Sequence, residues 1–134
     1  MELELKHLAP YLPYNIRMSR LNKDDKPVII HMNNGNIMYP IERPDRCKPV
    51  LRPMSDFDKT GIAGEKYYSF MSKINEDLPY GFKIDRDLEF DIDIPSFVHC
   101  KYAMQVYDFL FENHFDVFGL INQGLAIDIN TLKP

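Results

Sequence analysis

The stretch that decides the fold is Phe97–Asn130, FVHCKYAMQVYDFLFENHFDVFGLINQGLAIDIN. From Phe97 to His114 the polar positions Lys101, Gln105, Asp108 and Glu112 recur at steps of four, three and four. At about 100° per residue they occupy a stripe of roughly 60°. Around the rest of the circumference stand Val98, Tyr102, Ala103, Met104, Val106, Tyr107, Phe109, Leu110, Phe111 and Phe115. A surface helix buries about a third of its circumference, and each large apolar side chain left in water forfeits roughly 1.5–3 kcal/mol. The pattern therefore predicts a central core helix covered on most sides. If its outer face meets a second copy of the chain, Phe109 and Phe111 are the interface candidates.

The punctuation around this helix is legible. Pro95 suits a first helical turn, where its missing N–H costs nothing, and Ser96 is an alternative N-cap. Asn113 and His114 mark a break, with His114 placed at the carbonyl end of the helix. Asp116 is positioned to cap a second short helix running from Val117 to Gln123. Gly124 fits the left-handed position that closes it. Leu125, Ile127 and Ile129 then alternate with Ala126, Asp128 and Asn130, which predicts a final strand with one apolar face.

Upstream, Leu5–Leu8 predicts a turn of helix that Pro10 and Pro13 stop. Strands are predicted over Tyr14–Leu21, Val28–Met32, Ile37–Ile41 and Cys47–Leu51. Asn33-Asn34-Gly35-Asn36 between two apolar runs is a hairpin signal, because both central residues of a type I′ turn need positive φ. Pro40 puts the second of those strands at an edge or at its end. In the middle, Ser55-Asp56-Phe57-Asp58 resembles a capping box. Tyr67, Phe70, Met71, Ile74 and Leu78 then share one face of an amphipathic helix that Pro79 and Gly81 end. The chain thus reads as one α+β domain over residues 1–134, β-rich over 1–53 and mixed helical over 54–134. Its elements are a small N-terminal antiparallel β unit with a hairpin, an amphipathic middle helix, an apolar C-terminal helix, a short helix and a final strand.

Composition narrows the function classes. With 134 residues, 45% hydrophobic and 13% aromatic, the chain has material for one real core. The formal charge of −4 argues against nucleic acid as the main partner, since phosphate binding needs a basic face. A local basic patch is confined to Arg43, Arg46, Lys48 and Arg52. Cys47 and Cys100 lie far apart with no CxxC, so neither a zinc site nor a disulfide scaffold is indicated. No apolar run approaches the ~20 residues needed to span a bilayer, and the N-terminus lacks the pattern of a secretory signal. A cytoplasmic protein is expected, with no cofactor.

Three blocks carry a resemblance: Leu8-Ala9-Pro10-Tyr11-Leu12-Pro13-Tyr14, then Lys48-Pro49-Val50-Leu51-Arg52-Pro53-Met54-Ser55-Asp56, then His114 to Ile121 running on through Gly124 to Asn130. Together they resemble small proteins carried by phages and prophages of gut Bacteroidetes, a group with no established activity. The resemblance implies a bacterial cytoplasm and a role in a mobile element. It carries over no catalytic residues.

The run Asp85, Asp87, Glu89, Asp91, Asp93 has period two, with Leu88, Phe90, Ile92 and Ile94 opposite. Hard carboxylate oxygens suit Ca²⁺ or Mg²⁺, which makes a metal-dependent enzyme or nucleic-acid-processing accessory the alternative reading. The calcium-loop pattern fails, however: its sixth position is Phe90 where Gly is needed, and its twelfth is Ser96 where Glu is needed. Extended carboxylates about 6.6 Å apart also diverge along a strand. A solvated, charge-guarded edge strand is the simpler reading. His99 and Cys100 are neighbours, but adjacent helical residues point about 100° apart, so they do not form a nucleophile–base pair. GxGxxG, GxxxxGK[ST], GxSxG and HExxH are all absent from the sequence. Tyr11, Tyr14, Tyr39 and Tyr80 stand out as contact residues, since tyrosine is enriched at protein interfaces. The reading that results is a protein-interaction domain whose partner is another protein or a second copy of itself, forming a homodimer.

The acidic run supplies a test. On a solvated strand face, Asp87→Asn and Asp91→Asn should leave stability near pH 7 unchanged or slightly raised, by relief of like-charge repulsion. Chemical denaturation measures this, and a large loss at either position would point to a bound metal or partner network instead.

Overall fold

A computed structural model describes residues 2–59, 69–78, 83–85 and 96–132. In chain order its regular elements are α1 (Leu5–Leu8), β1 (Arg17–Leu21), β2 (Pro27–His31), α2 (Tyr39–Glu42), β3 (Cys47–Leu51), α3 (Phe70–Asp77), α4 (Ser96–Glu112) and β4 (Ile127–Asp128). The molecule is α+β, with helices and a mixed four-stranded sheet of order β2-β1-β3-β4. The chain groups into two compact units, Met1–Pro53 with Leu110–Pro134, and Met54–Phe109.

The first unit holds the sheet. β1 pairs antiparallel with β2 and with β3, whereas β3 and β4 run parallel, Val50 opposite Ile127 and Leu51 opposite Asp128. The hairpin is β1–β2, one element earlier than Asn34-Gly35 predicts. Its turn is built by Asn22, whose Oδ1 accepts from the Asp24 and Lys26 amides at 2.8 and 3.1 Å. Asp25 takes the left-handed conformation there, φ 58°. The Asn33–Asn36 segment turns the right-handed way instead. The Asn33 side chain accepts from the amides of Gly35 and Asn36, its carbonyl accepts from Ile37, and the chain runs into α2 where a strand Ile37–Ile41 is predicted. Pro40 fits this choice: in the first turn of a helix its missing N–H is no loss, and it stands there in α2.

β3 forms as predicted, although it is a central strand carrying a proline. Leu21 N–H donates to the Arg46 carbonyl at 2.8 Å. With Ser19 opposite Lys48, alternation turns the Pro49 nitrogen away from β1, toward the side where β4 has not yet begun. The unit's core gathers Leu3, Leu8, Tyr11, Ile16, Met18, Met32, Ile37, Cys47, Leu51, Leu120 and Ala126. Pro10 and Pro13 do not end helical structure; a 3₁₀ turn over Ala9–Tyr14 continues from α1 until Asn15, φ 57°.

The C-terminal segment closes on this core. His114 N–H donates to the Phe111 carbonyl at 3.0 Å and Phe115 N–H to the Leu110 carbonyl at 2.9 Å. His114 stands between them at φ 63°. This is a Schellman closure with histidine in the left-handed position usually given to glycine, and histidine is among the residues that tolerate it. Leu110 and Phe115, the apolar pair of that motif, are both fully buried. The Asp116 carboxylate then accepts from the Leu120 and Ile121 amides at 2.7 and 2.9 Å. It caps a 3₁₀ turn of only Ile121–Gln123, shorter than the helix predicted from Val117. Gly124 closes that turn at φ 73°. The final strand is also shorter than predicted. Asp128 Oδ1 accepts from Asn130 N–H at 2.8 Å and bends the chain into a 3₁₀ turn over Ile129–Thr131.

In the second unit α3 starts at Ser69, whose Oγ accepts from Ser72 N–H at 3.0 Å. Asn75 of α3 exchanges two hydrogen bonds with the backbone of Ile84, at 2.8 and 2.9 Å. The Phe70 and Phe109 rings meet edge to face at 6.3 Å.

α4 is less covered than its sequence predicts. Lys101, Asp108 and Glu112 are exposed as expected, but so are Met104 at 67% and Tyr107 at 45%. Among its residues from Lys101 on, only Val106 and Leu110 are fully buried. The helix buries one face and leaves large apolar groups on the other. Leu110→Ala is therefore expected to cost about 2–5 kcal/mol, the range for large-to-small core changes. Glu112→Ala should cost under about 0.5 kcal/mol. Urea denaturation of the two variants checks the phase of the helix.

Candidate functional site

Three features of the first unit bear on function: a buried clasp, an arginine-lined cleft and an open sheet edge.

The clasp is built on Tyr11. Its hydroxyl donates to the Phe115 carbonyl and accepts from Val117 N–H at 3.2 Å. Its ring meets Phe111 edge to face at 5.0 Å, and Phe118 in turn lies 6.0 Å from Phe111 and 5.3 Å from His7. Tyr11 is thus a core residue and not the contact residue its type suggests. Burial, with the Asp116 charge adding to it, pushes its phenol far above the ordinary value against the Val117 hydrogen bond. Beside it, His114 Nε2 donates to the Tyr14 carbonyl at 2.6 Å, which assigns the proton to that nitrogen. Arg52 donates from its amide to the His114 carbonyl at 2.7 Å and accepts from Asp116 N–H at 2.8 Å. These groups all serve backbone atoms. Phe111 is occupied within the same cluster and Phe109 lies against Phe70, so neither aromatic proposed for an interface is presented freely to a second copy.

The cleft has a volume of about 170 Å³ and is lined by Arg20, Leu21, Tyr39, Arg43, Arg46 and Cys47. Arg20 and Cys47 face each other across β1 and β3. Tyr39 lies in α2 and Arg43 follows it. Arg43 and Arg46 belong to the basic patch marked in the sequence; Lys48 and Arg52 do not line the cleft. Arg20 joins it from a strand 23 residues earlier than Arg43, a neighbour that the strand register supplies. Arg46 is held by Asp25 Oδ1 and the Asn22 carbonyl, each at 2.8 Å. Cys47 is buried, its Sγ donating to Met18 Sδ at 4.0 Å. Burial raises its thiol, with Arg20 opposing. It remains a protonated thiol and not a nucleophile.

The edge is β2, whose outer side no described strand pairs. Two bonds phase its ladder: Met32 N–H to the Ile16 carbonyl and Asn22 N–H to the Lys26 carbonyl. The hydrogen-bonded positions are therefore Val28, Ile30 and Met32. Alternation turns the backbone groups of Pro27, Ile29 and His31 outward. The His31 carbonyl is already taken by Asn36 Nδ2 at 3.0 Å. Val28 and Ile29 are 39% and 42% exposed.

The acidic run lies outside the described residues apart from Asp85, as do Tyr67, Tyr80 and the side chains of His99 and Cys100. Among the described residues no three His, Cys, Asp or Glu side chains gather. No helix of these residues is long and apolar enough to cross a membrane. No protein-family model, curated protein or solved structure matches this chain.

Burial is the largest influence on the His114 imidazole and lowers its pKa. The charges of Arg17, Arg52 and His31 act the same way, and the bond to Tyr14 opposes them. The folded state thus favours the neutral ring. Its contribution is whole above the unfolded value of about 6.5 and is lost as pH falls from there toward the lower folded value. Urea titrations at pH 7 and pH 5 should show a smaller acid-induced drop for His114→Gln, which keeps a donor and cannot charge, than for the unaltered protein.

Proposed function

We propose that this chain is a protein-interaction module that pairs with a second copy of itself through β2, in an accessory role of a mobile element. The observation that supports the pairing is the donor and acceptor pattern of the open edge. Outward-facing donors are the amides of Ile29 and His31, Pro27 having none. Outward-facing acceptors still open are the carbonyls of Pro27 and Ile29, that of His31 being filled by Asn36. Lay two such edges antiparallel about a two-fold axis at Ile29. Each Ile29 then exchanges two bonds with Ile29 of the second copy, and each His31 amide meets a Pro27 carbonyl. The missing donor of Pro27 falls opposite the His31 carbonyl that needs none. Every group is matched, as strand addition at a sheet edge requires, and the symmetry is the commonest for soluble oligomers. Val28 and Ile29 add apolar contact on the two faces of the joined sheet. One five-residue strand falls below the roughly 1,200 Å² of a permanent interface, so the association is transient.

Light scattering over a concentration series tests it. The mass should rise from the 15.8 kDa of one chain toward twice that value. Ile29→Pro removes an outward donor without touching the β1 ladder and should hold the protein at the monomer mass, whereas Ile29→Val should not. A monomer mass at every concentration would refute the reading.

A further inference from the structure

We propose that the cleft between β1 and α2 binds a dianionic phosphoryl group, as free phosphate or as the end of a small phosphomonoester. The proposal goes beyond strand pairing and stands on separate residues. Arg20 and Arg43 reach this cleft from different elements, and neither makes an ion pair with a described residue. Arg46 is partly compensated by Asp25, whose carboxylate lies on the hairpin turn. In a chain of formal charge −4, two guanidiniums without an ion-pair partner among the described residues at one concavity favour an anion there. Like charges held together with no anion repel, so an anion bound between them is favoured by both.

The frame of the cleft is set before any ligand arrives. The Arg43 carbonyl accepts from the amides of both Arg46 and Cys47 at 3.0 Å, and the Arg43 amide donates to the Tyr39 carbonyl at 2.8 Å. The loop from α2 to β3 is thus closed upon itself. Arg46 ties it to the hairpin turn through Asp25 and Asn22. Ordering costs at binding fall mainly on the two free side chains, which is what preorganisation means here.

Charge and size select the ligand. A guanidinium presents a planar fork that matches two oxygens. Two such forks, with their several N–H donors, suit the three terminal oxygens of a phosphoryl group better than the two of a carboxylate. A volume of about 170 Å³ is that of roughly five or six waters. It holds a tetrahedral oxyanion and its ester oxygen, but is short of the roughly 300 Å³ at which pockets enclose a drug-sized ligand. The remainder of an ester stays in solvent. Cys47 is buried with its Sγ against Met18 Sδ, so the proposal is one of binding.

The test is calorimetric titration with inorganic phosphate, phenyl phosphate and succinate at matched ionic strength, together with amide chemical-shift mapping of the unaltered protein. At least one phosphate form should bind where succinate does not, and the stronger of the two identifies the source. Shifts should centre on Arg20, Tyr39, Arg43 and Cys47. Arg20→Gln and Arg43→Gln should each weaken binding by roughly 10- to 100-fold, the scale of a lost charged hydrogen bond, while Lys48→Gln should leave it unchanged. No heat from either phosphate, equal binding of succinate, or shifts centred elsewhere would overturn the proposal, and the mapping decides even if an arginine variant fails to fold.

Discussion

The Tyr11 hydroxyl is the constraint on which the first unit depends. It joins the Phe115 carbonyl and the Val117 amide to a residue 104 and 106 positions earlier in the chain. Both backbone groups lie in a segment that leaves α4 and must turn at once to run beside β3. A buried carbonyl or amide without a partner costs about 1–3 kcal/mol, and the one hydroxyl satisfies one of each. His114 does the same for the Tyr14 carbonyl. The first and last segments of the chain therefore hold each other through polar atoms set inside an aromatic cluster.

From this clasp the rest of the unit follows. Arg52 pairs with the segment on either side of Phe115, which draws the C-terminal chain parallel to β3 and sets β4 on that side of the sheet. β4 takes one flank of β3 and β1 the other, so among the described residues the sheet has its two outer edges at β2 and at the two-residue β4. β2 presents the longer of the two edges, five residues against two. The arginine cleft follows from the same register, since pairing β1 with β3 is what sets Arg20 opposite Cys47 and next to the loop that carries Arg43 and Arg46.

The two surfaces differ in kind. The edge presents backbone donors and acceptors, with Pro27 and Asn36 shaping which of them remain open. The cleft presents side-chain charge, with Asp25 and Asn22 of the hairpin turn fixing Arg46 on one wall. Neither depends on the titratable groups of the clasp, which are committed to backbone atoms and serve the fold.

Interactions that span a few residues were legible in the amino-acid sequence: the break at Asn113-His114, the Asp116 cap, the left-handed Gly124, the strand Cys47–Leu51 and the amphipathic middle helix. Each is settled by a cap, a φ preference or a local period. The hairpin was misplaced because Asn34-Gly35 and Asn22–Lys26 both carry turn chemistry, and it is Pro40 that favours helix after the former. The covered helix was over-read because periodicity counts apolar residues without saying how much surface exists to cover them, and Met104 and Tyr107 stay in water. Tyr11 in the core, β4 parallel to β3, the open side of β2 and Arg20 beside Arg43 belong to the three-dimensional arrangement alone. The pairings among these join residues from 23 to 106 positions apart, and no local preference of the backbone reaches that far.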